Sequence, residues 1–243
     1  MNFPHSNEVS PSICFGIFHI ENSTCGERHL LKENLIDHIG NLWTNLDIET
    51  IAFKSLDEAE VMAKDLNLYF EHIEEDRKQG VTGFMKGEIG IWIGTILALR
   101  KFLNSEFDTL VLFEDDVIST RDSITIAHQY LRKIPEDFDI FALYTEEHQT
   151  HIYGRKRHFR AFLRKHFFDD PNSLTKLYQH SCVASYAVSR KGAKRILESI
   201  ERKIDMPIDW HLFRGRFKSF SFKPKGPKLF ALAKVESTIQ NDR

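Results

Sequence analysis

Segment 110–117, with the sequence LVLFEDDV, constrains the fold of this chain more than any other stretch. Four apolar residues lead directly into three consecutive carboxylates, Glu114, Asp115 and Asp116. An apolar run of this length, closed by acids, is typical of a strand buried on both faces of a sheet. Open α/β sheets bind ligands at the carboxyl ends of such strands, so the three acids are predicted to lie at a binding edge.

Three adjacent carboxylates repel one another, and a bound divalent cation relieves that repulsion. Oxygen ligands of this kind suit Mg²⁺ or Mn²⁺, and a metal held by them neutralises phosphate groups. The alternative interpretation is a polar strand end that happens to be acidic, because loops are rich in Asp and Glu.

The composition is that of a globular protein with one large domain. With 243 residues, 42% of them hydrophobic, the chain is long enough to bury a substantial core. Its three cysteines, Cys14, Cys25 and Cys182, are odd in number and lack metal-ligand spacing, which argues against a disulfide scaffold and for a reducing compartment. The N-terminus has no cationic segment ahead of its apolar run, and no stretch approaches about 18 uninterrupted apolar residues. We therefore expect a cytoplasmic protein.

The charge of the chain is unevenly distributed, although its net value is only −2. Residues 1–150 contain 12 Lys and Arg against 27 Asp and Glu, whereas residues 151–243 contain 21 against 8. This split predicts that the second part faces an anionic partner, such as a phosphate-bearing substrate, a membrane surface or nucleic acid.

Apolar periodicity predicts strands and helices in alternation along most of the chain. Strands are predicted at residues 13–20, 47–53, 110–117, 138–144 and 182–189, and helices at 30–39, 56–77, 86–103, a segment ending near 134, and 190–204. Such alternation is typical of an α/β fold with a largely parallel central sheet flanked by helices. The looser pattern at 145–180 is interpreted as a basic helical insertion within a single domain that spans 1–243.

Six short motifs follow one another along the chain. They are GEIG at 87–90, LVLFEDDV at 110–117, FDIFALY at 138–144, SYAVSRKGAKRIL at 185–197, PIDWHLF at 207–213 and ESTIQ at 236–240. In this order and spacing they resemble glycosyltransferase family 25, the lipopolysaccharide-type glycosyltransferases that include β-1,4-galactosyltransferases. The sequence departs from the family at two places. Gly94-Thr95 stands where the family has a Ser-His pair, and HIEN at 19–22 replaces an Asn-Leu-Asp or Asn-Leu-Pro run.

The resemblance implies a GT-A-like fold, a nucleotide-sugar donor with a UDP-sugar as first candidate, and Mn²⁺ or Mg²⁺ as cofactor. Residues 12–144 would form the nucleotide-sugar-binding part and residues 181–243 the acceptor-side part. Glu114 and Asp116 take the outer positions of the family's Asp-x-Asp-like motif. Asp116 is expected to bind the metal directly, Glu114 to contact it through water or to reach the ribose, and Asp115 to orient its neighbours.

Two residues outside the acidic motif are expected to assist cofactor binding. Arg28 stands where the family places a basic residue after the first strand, and it is expected to hold the nucleotide. Glu88, in the GEIG motif, is expected to lie beside the donor. The alternative for Arg28 is an exposed arginine at the start of a helix, since charged side chains are most often simply solvated.

Asp209 is the candidate catalytic base. Family 25 enzymes are understood to invert the anomeric centre, and an inverting transfer needs a carboxylate that accepts the proton of the attacking hydroxyl. Asp209 matches the family's Pro-x-Asp, and a helix N-cap is its alternative role. Tyr186 and Trp210 are expected to contact the acceptor. His211 is a candidate metal ligand or acceptor contact, with a purely structural histidine as the alternative.

Two basic segments carry much of the positive charge of the second part. HIYGRKRHFRAFLRKHFF at 151–168 has six Lys and Arg and no acid, which predicts either a membrane-surface helix or a lid helix packed on the core. The run at 214–234 has seven and no acid. Its Lys223, Lys225 and Lys228 are expected either to close over the diphosphate or to protect an edge strand.

Together these features predict a cytoplasmic, metal-dependent inverting hexosyltransferase that acts on a glycan or lipid-linked glycan of lipopolysaccharide type. Segment 151–168 would hold it peripherally on the inner face of the membrane. One alternative is a metal-dependent phosphotransferase or nuclease, which needs a second acidic cluster; Asp169-Asp170 is the candidate. The other is a non-catalytic relative that binds a nucleotide-sugar without turnover. A nucleic-acid partner is not expected, since the aromatic residues lack an RNP-like pattern.

Overall fold

The computed structural model describes residues 11–19, 26–48, 53–71, 84, 86–134, 137–144, 174–176, 184–201, 203–213, 215–222 and 228–233. The strands are β1 (Ile13–Phe18), β2 (Thr44–Asn45), β3 (Thr109–Glu114), β4 (Val117–Ile118), β5 (Ile140–Ala142), β6 (Leu174–Lys176), β7 (Ser185–Ser189), β8 (Ser219–Phe222) and β9 (Ala231–Leu232). The helices are α1 (Gly26–Ile39), α2 (Leu56–Asp65), α3 (Lys86–Leu103), α4 (Arg121–Leu131), α5 (Arg190–Ser199) and α6 (Ile208–Phe213).

Seven of these strands form one sheet in the order β2-β1-β3-β7-β5-β8-β6, and β4 pairs with β9 separately. The pairs β1–β2, β1–β3 and β5–β8 are parallel, whereas β7 runs antiparallel to β3 and β5, and β6 runs antiparallel to β8. Five of the seven described strands therefore run in one direction. This confirms the predicted α/β fold with a largely parallel sheet. The reversal of β6 and β7 was not predicted, because strand direction depends on the path of the connections and not on periodicity.

Helices cover both faces of the sheet, and β3 shows how the two layers are held. Leu110 and Leu112 belong to one core cluster, with side chains of α2, α3, α5 and α6. Val111 and Phe113 belong to the other, with side chains of α1 and α4. All four are fully buried, because successive side chains of a strand point to opposite faces and both faces are covered. The apolar run in the sequence is uninterrupted because both faces of β3 are buried.

Several predicted element boundaries differ from the observed ones. The helix at 86–103 is confirmed as α3. The strand expected at 47–53 falls mostly on residues 49–52, which lie outside the described part; its described residues, 47, 48 and 53, are not in a strand, and β2 precedes them at 44–45. Helix α2 ends at Asp65, and residues 72–80 lie outside the described part. Within the basic run 214–234, β8 lies between β5 and β6, whereas β9 pairs only with β4; Lys223 and Lys225, for which an edge strand was considered, lie outside the described residues. The described helices include none long and apolar enough to cross a membrane.

The junction between β7 and α5 explains the Ser-x-x-Gly-Ala motif. The Ser189 hydroxyl accepts a hydrogen bond from the Gly192 N–H (3.0 Å) as the N-cap of α5, and it donates one to the Phe138 carbonyl (2.6 Å). A Cβ on Gly192 would lie 2.1 Å from the Asp139 carbonyl oxygen. Glycine is therefore required for α5 to begin this close to the start of β5.

Candidate active site

The acidic cluster, defined as Glu114, Asp115 and Asp116, lies where β1 and β3 end and β7 begins. Glu114 is the last residue of β3, and its N–H donates to the Ala184 carbonyl (2.9 Å) just before β7. Asp115 and Asp116 occupy the turn between β3 and β4, and the Asp116 carbonyl accepts from the N–H of Ala233 (2.9 Å). The predicted position of the acids at a carboxyl edge of the sheet is confirmed.

Asp115 is held by two basic side chains from other elements. Arg28, on α1, forms an ion pair with Asp115 Oδ1, and His19, just after β1, places its Nδ1 2.9 Å from Asp115 Oδ2. All three residues are buried, with 6–7% of their surfaces exposed. Arg28 is therefore not the solvated arginine that was considered; it is a charged component of the cluster.

Asp116 and Glu114 are less well compensated than Asp115. The Arg28 Nη2 atom lies 3.6 Å from Asp116 Oδ2, a loose ion pair, and Asp116 Oδ1 is buried without a hydrogen-bond partner. Burial raises the pKa of Asp116 against the opposing charge of Arg28. Burial, followed by the charges of Asp116 and Asp115, raises the pKa of Glu114 to about 8. Neither Glu114 nor Asp116 therefore has, in the described part of the chain, the close basic partners that Asp115 has.

The donor set of this cluster fits a divalent cation whose coordination is completed by another molecule. Among the described residues, no three His, Cys, Asp or Glu side chains are grouped as a complete metal site. Mg²⁺, however, is commonly held by one or two carboxylates, with waters and substrate phosphates supplying the other ligands. Glu114 and the buried, unpartnered Oδ1 of Asp116 are oxygen donors of that kind.

Asp209 and Trp210 lie on α6, near the acidic cluster. The charge of Asp209 is the smallest of the influences on the pKa of Glu114, after burial and the charges of the acidic cluster and Arg28, so the two carboxyl groups lie within electrostatic range of each other. Asp209 is half-buried in the first turn of α6, where its Oδ1 accepts from the Trp210 N–H (2.8 Å). It follows Ile208, the first helical residue, so it is not the N-cap. Trp210 remains 39% exposed, as a side chain that contacts an acceptor must be.

His211 has partners that favour a structural role over metal binding. Only 1% of its surface is exposed. Its Nε2 lies 2.7 Å from the Ser199 hydroxyl at the end of α5, and its Nδ1 lies 3.3 Å from Arg216 Nη1. The ring also packs edge-on against Trp92 of α3 at 5.1 Å between centroids. Because both ring nitrogens are engaged, His211 is not placed to bind a metal, and its contacts anchor the helix that carries Asp209.

Tyr186 lies beneath the cluster and not at an open acceptor surface. It is 1% exposed, packs edge-on against Phe213 and lies opposite Leu112 in the sheet. Burial raises its pKa, the Thr95 hydroxyl opposes that effect, and Glu114 reinforces it. The expected acceptor contact is therefore replaced by a role in the core. Thr95, at the position that departs from the family pattern, is itself fully buried beside it.

Of the remaining residues and segments with a predicted role, the structure describes only some. Glu88 is half-buried in the first turn of α3. Segment 151–168, Asp169-Asp170, Lys223 and Lys225 lie outside the described residues, as do the ESTIQ motif and two of the cysteines. Sequence reasoning missed His19 as a member of the site. The available signal was its position directly after the first strand, beside a parallel strand that ends in acids.

Comparison with known proteins gives a family match and matches to solved structures. The family model described as glycosyltransferase family 25 (LPS biosynthesis protein) matches residues 32–212. No curated protein matches the chain. Among solved structures, the crystal structure of A197 from STIV has a TM-score of 0.41 at 11% identity, covering 93% of this chain and 99% of that chain.

A second similar structure is that of glucosyl-3-phosphoglycerate synthase from Mycobacterium tuberculosis in complex with Mn²⁺, UDP and glucosyl-3-phosphoglycerate. Its TM-score is 0.32 at 16% identity, and the likeness covers 74% of this chain and 57% of that chain. At these TM-scores neither structure identifies a substrate or cofactor for this protein. The family match, in contrast, extends over most of the chain, from within α1 to within α6, and this protein therefore belongs to glycosyltransferase family 25 and is a glycosyltransferase.

Proposed function

We propose that this glycosyltransferase moves a hexose from a nucleotide-sugar, with a UDP-sugar as first candidate, to a glycan acceptor of lipopolysaccharide type. The transfer is metal-dependent and inverts the anomeric centre. The observation that carries this proposal is the juxtaposition of an under-compensated acidic cluster with the carboxyl group of Asp209. The acidic cluster suits a cation and a diphosphate, and the carboxyl group of Asp209 suits proton transfer.

Glu114 and Asp116 are the residues that would hold Mn²⁺ or Mg²⁺. Such a cation, when bound, draws negative charge from the departing diphosphate. The two carboxylates differ in their surroundings. Asp116 has a buried oxygen without a partner, which favours it as the direct ligand, whereas Glu114 is assigned to act through water or on the ribose.

Arg28 supports donor binding by supplying positive charge inside the cluster. Its guanidinium is fixed by Asp115 before any ligand arrives, and guanidinium groups match the geometry of phosphate oxygens. A pre-oriented cation loses little conformational entropy when the diphosphate binds. Arg28 therefore adds to donor affinity without itself taking part in bond breaking.

Asp209 acts as the base in the transfer step. It accepts the proton of the acceptor hydroxyl as that oxygen attacks the anomeric carbon, while the bond from that carbon to the diphosphate oxygen breaks. A single displacement of this kind inverts the anomeric centre. Trp210, beside Asp209 and partly exposed, is suited to stack on an acceptor sugar ring. The anchoring of α6 by His211 keeps both side chains in position.

The cellular setting is also part of the proposal. A family described by lipopolysaccharide biosynthesis and a basic segment at 151–168 favour a cytoplasmic enzyme that meets a lipid-linked acceptor at the inner face of the membrane.

The test is a thermal-shift screen of UDP-, GDP-, CMP- and dTDP-sugars, each with and without Mn²⁺, followed by transfer assays with the donor that stabilises the protein. Stabilisation by UDP-sugars only when Mn²⁺ is present is the expected result. The same stabilisation without metal would contradict the metal site. No stabilisation by any of the four classes would contradict the donor assignment as a whole.

A further inference from the structure

His19 occupies a position that the sheet register brings next to the acidic cluster. Strands β1 and β3 are parallel, and their last register pair joins Phe18 to Glu114. The next residue along each strand is His19 on one side and Asp115 on the other. The His19 ring is 7% exposed, and its Nδ1 lies 2.9 Å from Asp115 Oδ2, a distance at which an Nδ1–H donates a hydrogen bond to the carboxylate.

Both oxygens of Asp115 are engaged by the protein. Oδ1 is paired with Arg28 Nη1, and Oδ2 is bonded to His19. A hydrogen bond to a charged acceptor in a buried place is among the stronger ones. Both carboxylate oxygens of Asp115 therefore already accept hydrogen bonds from the protein before a cation arrives.

Asp116 contrasts with Asp115 in each of these respects. Its Oδ2 lies 3.6 Å from Arg28 Nη2, beyond hydrogen-bond distance, and its Oδ1 is buried without a partner. Asp116 can therefore turn to a cation without releasing Arg28, because Arg28 is retained by Asp115. The two neighbouring aspartates have different tasks: one keeps the arginine and the other binds the ligand.

We propose, on the basis of the function proposed above, that His19 is a positioning residue for donor binding: it holds Asp115 on Arg28 and keeps Asp115 out of the cation's coordination. The chain departs from the family pattern at this position, where HIEN follows the first strand. A histidine here supplies an N–H donor on a rigid, buried ring. Without it, one oxygen of Asp115 would be free to rotate toward the cation, and Arg28 would lose its fixed orientation.

The experiment compares UDP binding, with and without Mn²⁺, in the wild type, His19→Phe and His19→Gln. Phenylalanine keeps the ring and removes the donor, whereas glutamine keeps an N–H donor. His38→Phe is the matched control, because it removes a histidine hydrogen bond (2.9 Å, to the Ser119 hydroxyl) outside the cluster. Steady-state kcat and KM for the donor are measured on the same four proteins.

His19→Phe is expected to weaken UDP binding about tenfold, the effect of losing one charge-assisted hydrogen bond. The donor KM should rise with kcat nearly unchanged, and His19→Gln should recover most of the affinity. A folded His19→Phe protein that binds UDP as the wild type does would refute the role of His19. So would equal losses in His19→Phe and His38→Phe, since these would report a general structural effect.

Asp115→Asn gives a second measurement that does not need a folded His19→Phe protein. It should weaken UDP binding yet retain the increase in affinity that Mn²⁺ produces, because Asp115 is not a metal ligand. Loss of that increase would overturn the proposal. If instead the wild-type protein bound UDP no better with Mn²⁺ than without it, the proposed function would fail, and this outcome is distinct from the others.

Discussion

Asp209 on α6 lies close enough to Glu114 at the end of β3 for its negative charge to help raise the pKa of the Glu114 carboxyl. The two residues are far apart in the chain, one at the end of a central strand and the other on a helix that packs on one face of the sheet. A candidate base therefore lies within electrostatic range of a candidate cation site.

Replacing Asp116 with asparagine should abolish metal-dependent donor binding and leave the fold intact. Burial already disfavours the charge of Asp116, as its raised pKa shows, so removing that charge should not lower the melting temperature. Titration with UDP in the presence and absence of Mn²⁺ measures the effect. Asp122→Asn, an exposed acid in the first turn of α4, is the matched control and should bind as the wild type. Metal-dependent binding retained in Asp116→Asn would remove this residue from the site.

Replacing Asp209 with asparagine should preserve donor binding and reduce the transfer rate by about 10²–10⁴-fold, the usual contribution of a general base. Asparagine keeps the size of the side chain and the acceptor for the Trp210 N–H. Asp205→Asn is a suitable control. This acid is also half-buried and lies just before α6, and its ion pair with Arg216 is loose, with 4.0 Å between Asp205 Oδ2 and Arg216 Nη2. Unchanged turnover in Asp209→Asn would exclude Asp209 as the base.

The stability of the metal-free protein should depend on Glu114 in a defined pH window. Its pKa rises from 4.5 to about 8 on folding, so the folded state binds a proton more tightly than the unfolded state does. The free energy of unfolding should therefore fall as pH rises from about 4.5 to about 8, by at most about 1.4 kcal/mol per pH unit. Urea denaturation of the wild type and Glu114→Gln, both with a chelator, measures this slope. Glu114→Gln should lose it, and parallel profiles would contradict the assignment.

His211 should produce the opposite slope at lower pH. Burial, with Arg216 nearby, lowers its pKa from 6.5 to about 4, so its stabilising contribution is present above pH 6.5 and is lost as pH falls toward about 4. This effect is best measured in the Glu114→Gln background, where the competing slope is absent. Adding His211→Gln should flatten the profile between about pH 4 and about pH 6.5. An unchanged acid-side slope would show that another group causes it.

Replacing Gly192 with alanine should destabilise the protein without a direct effect on the site. The new Cβ would lie 2.1 Å from the Asp139 carbonyl oxygen, which is backbone and cannot move aside freely. We expect a loss of about 1–3 kcal/mol, as for other overpacked positions. Gly26→Ala is the control, since a Cβ there meets nothing within 4 Å, and it should change the free energy of unfolding by less than about 0.5 kcal/mol. Chemical denaturation distinguishes the two.

Local patterns in the sequence predicted the elements that matter most for the site. The run at 110–117 predicted a strand buried on both faces that ends in acids, and β3 is that strand. The apolar segment at 86–103 predicted α3 without error. Arg28, Glu114, Asp115, Asp116 and Asp209 were all named from their motifs, and the structure brings them together at one edge of the sheet.

Properties that depend on a residue's partners were not predictable in this way. Tyr186 and His211 were expected to face ligands, but each is 1% exposed and packed on aromatic side chains. The family motif distinguished Asp116 from Asp115, but the sequence did not show that Asp115 is held by two basic groups or that Asp116 has a buried oxygen without a partner. His19 was not recognised as their neighbour.

The physical reason for this division is the range of the interactions involved. Apolar periodicity and strings of like charge act over a few residues, so the amino-acid sequence of this protein already specifies its buried strands, its long helix and the location of the acids at a strand end. Burial and hydrogen-bond partners arise between residues that are far apart in the chain. The parallel register of β1 and β3 places His19 beside Asp115, and the packing of α6 against the end of α5 places His211 beside Ser199. Only the folded chain contains those distances.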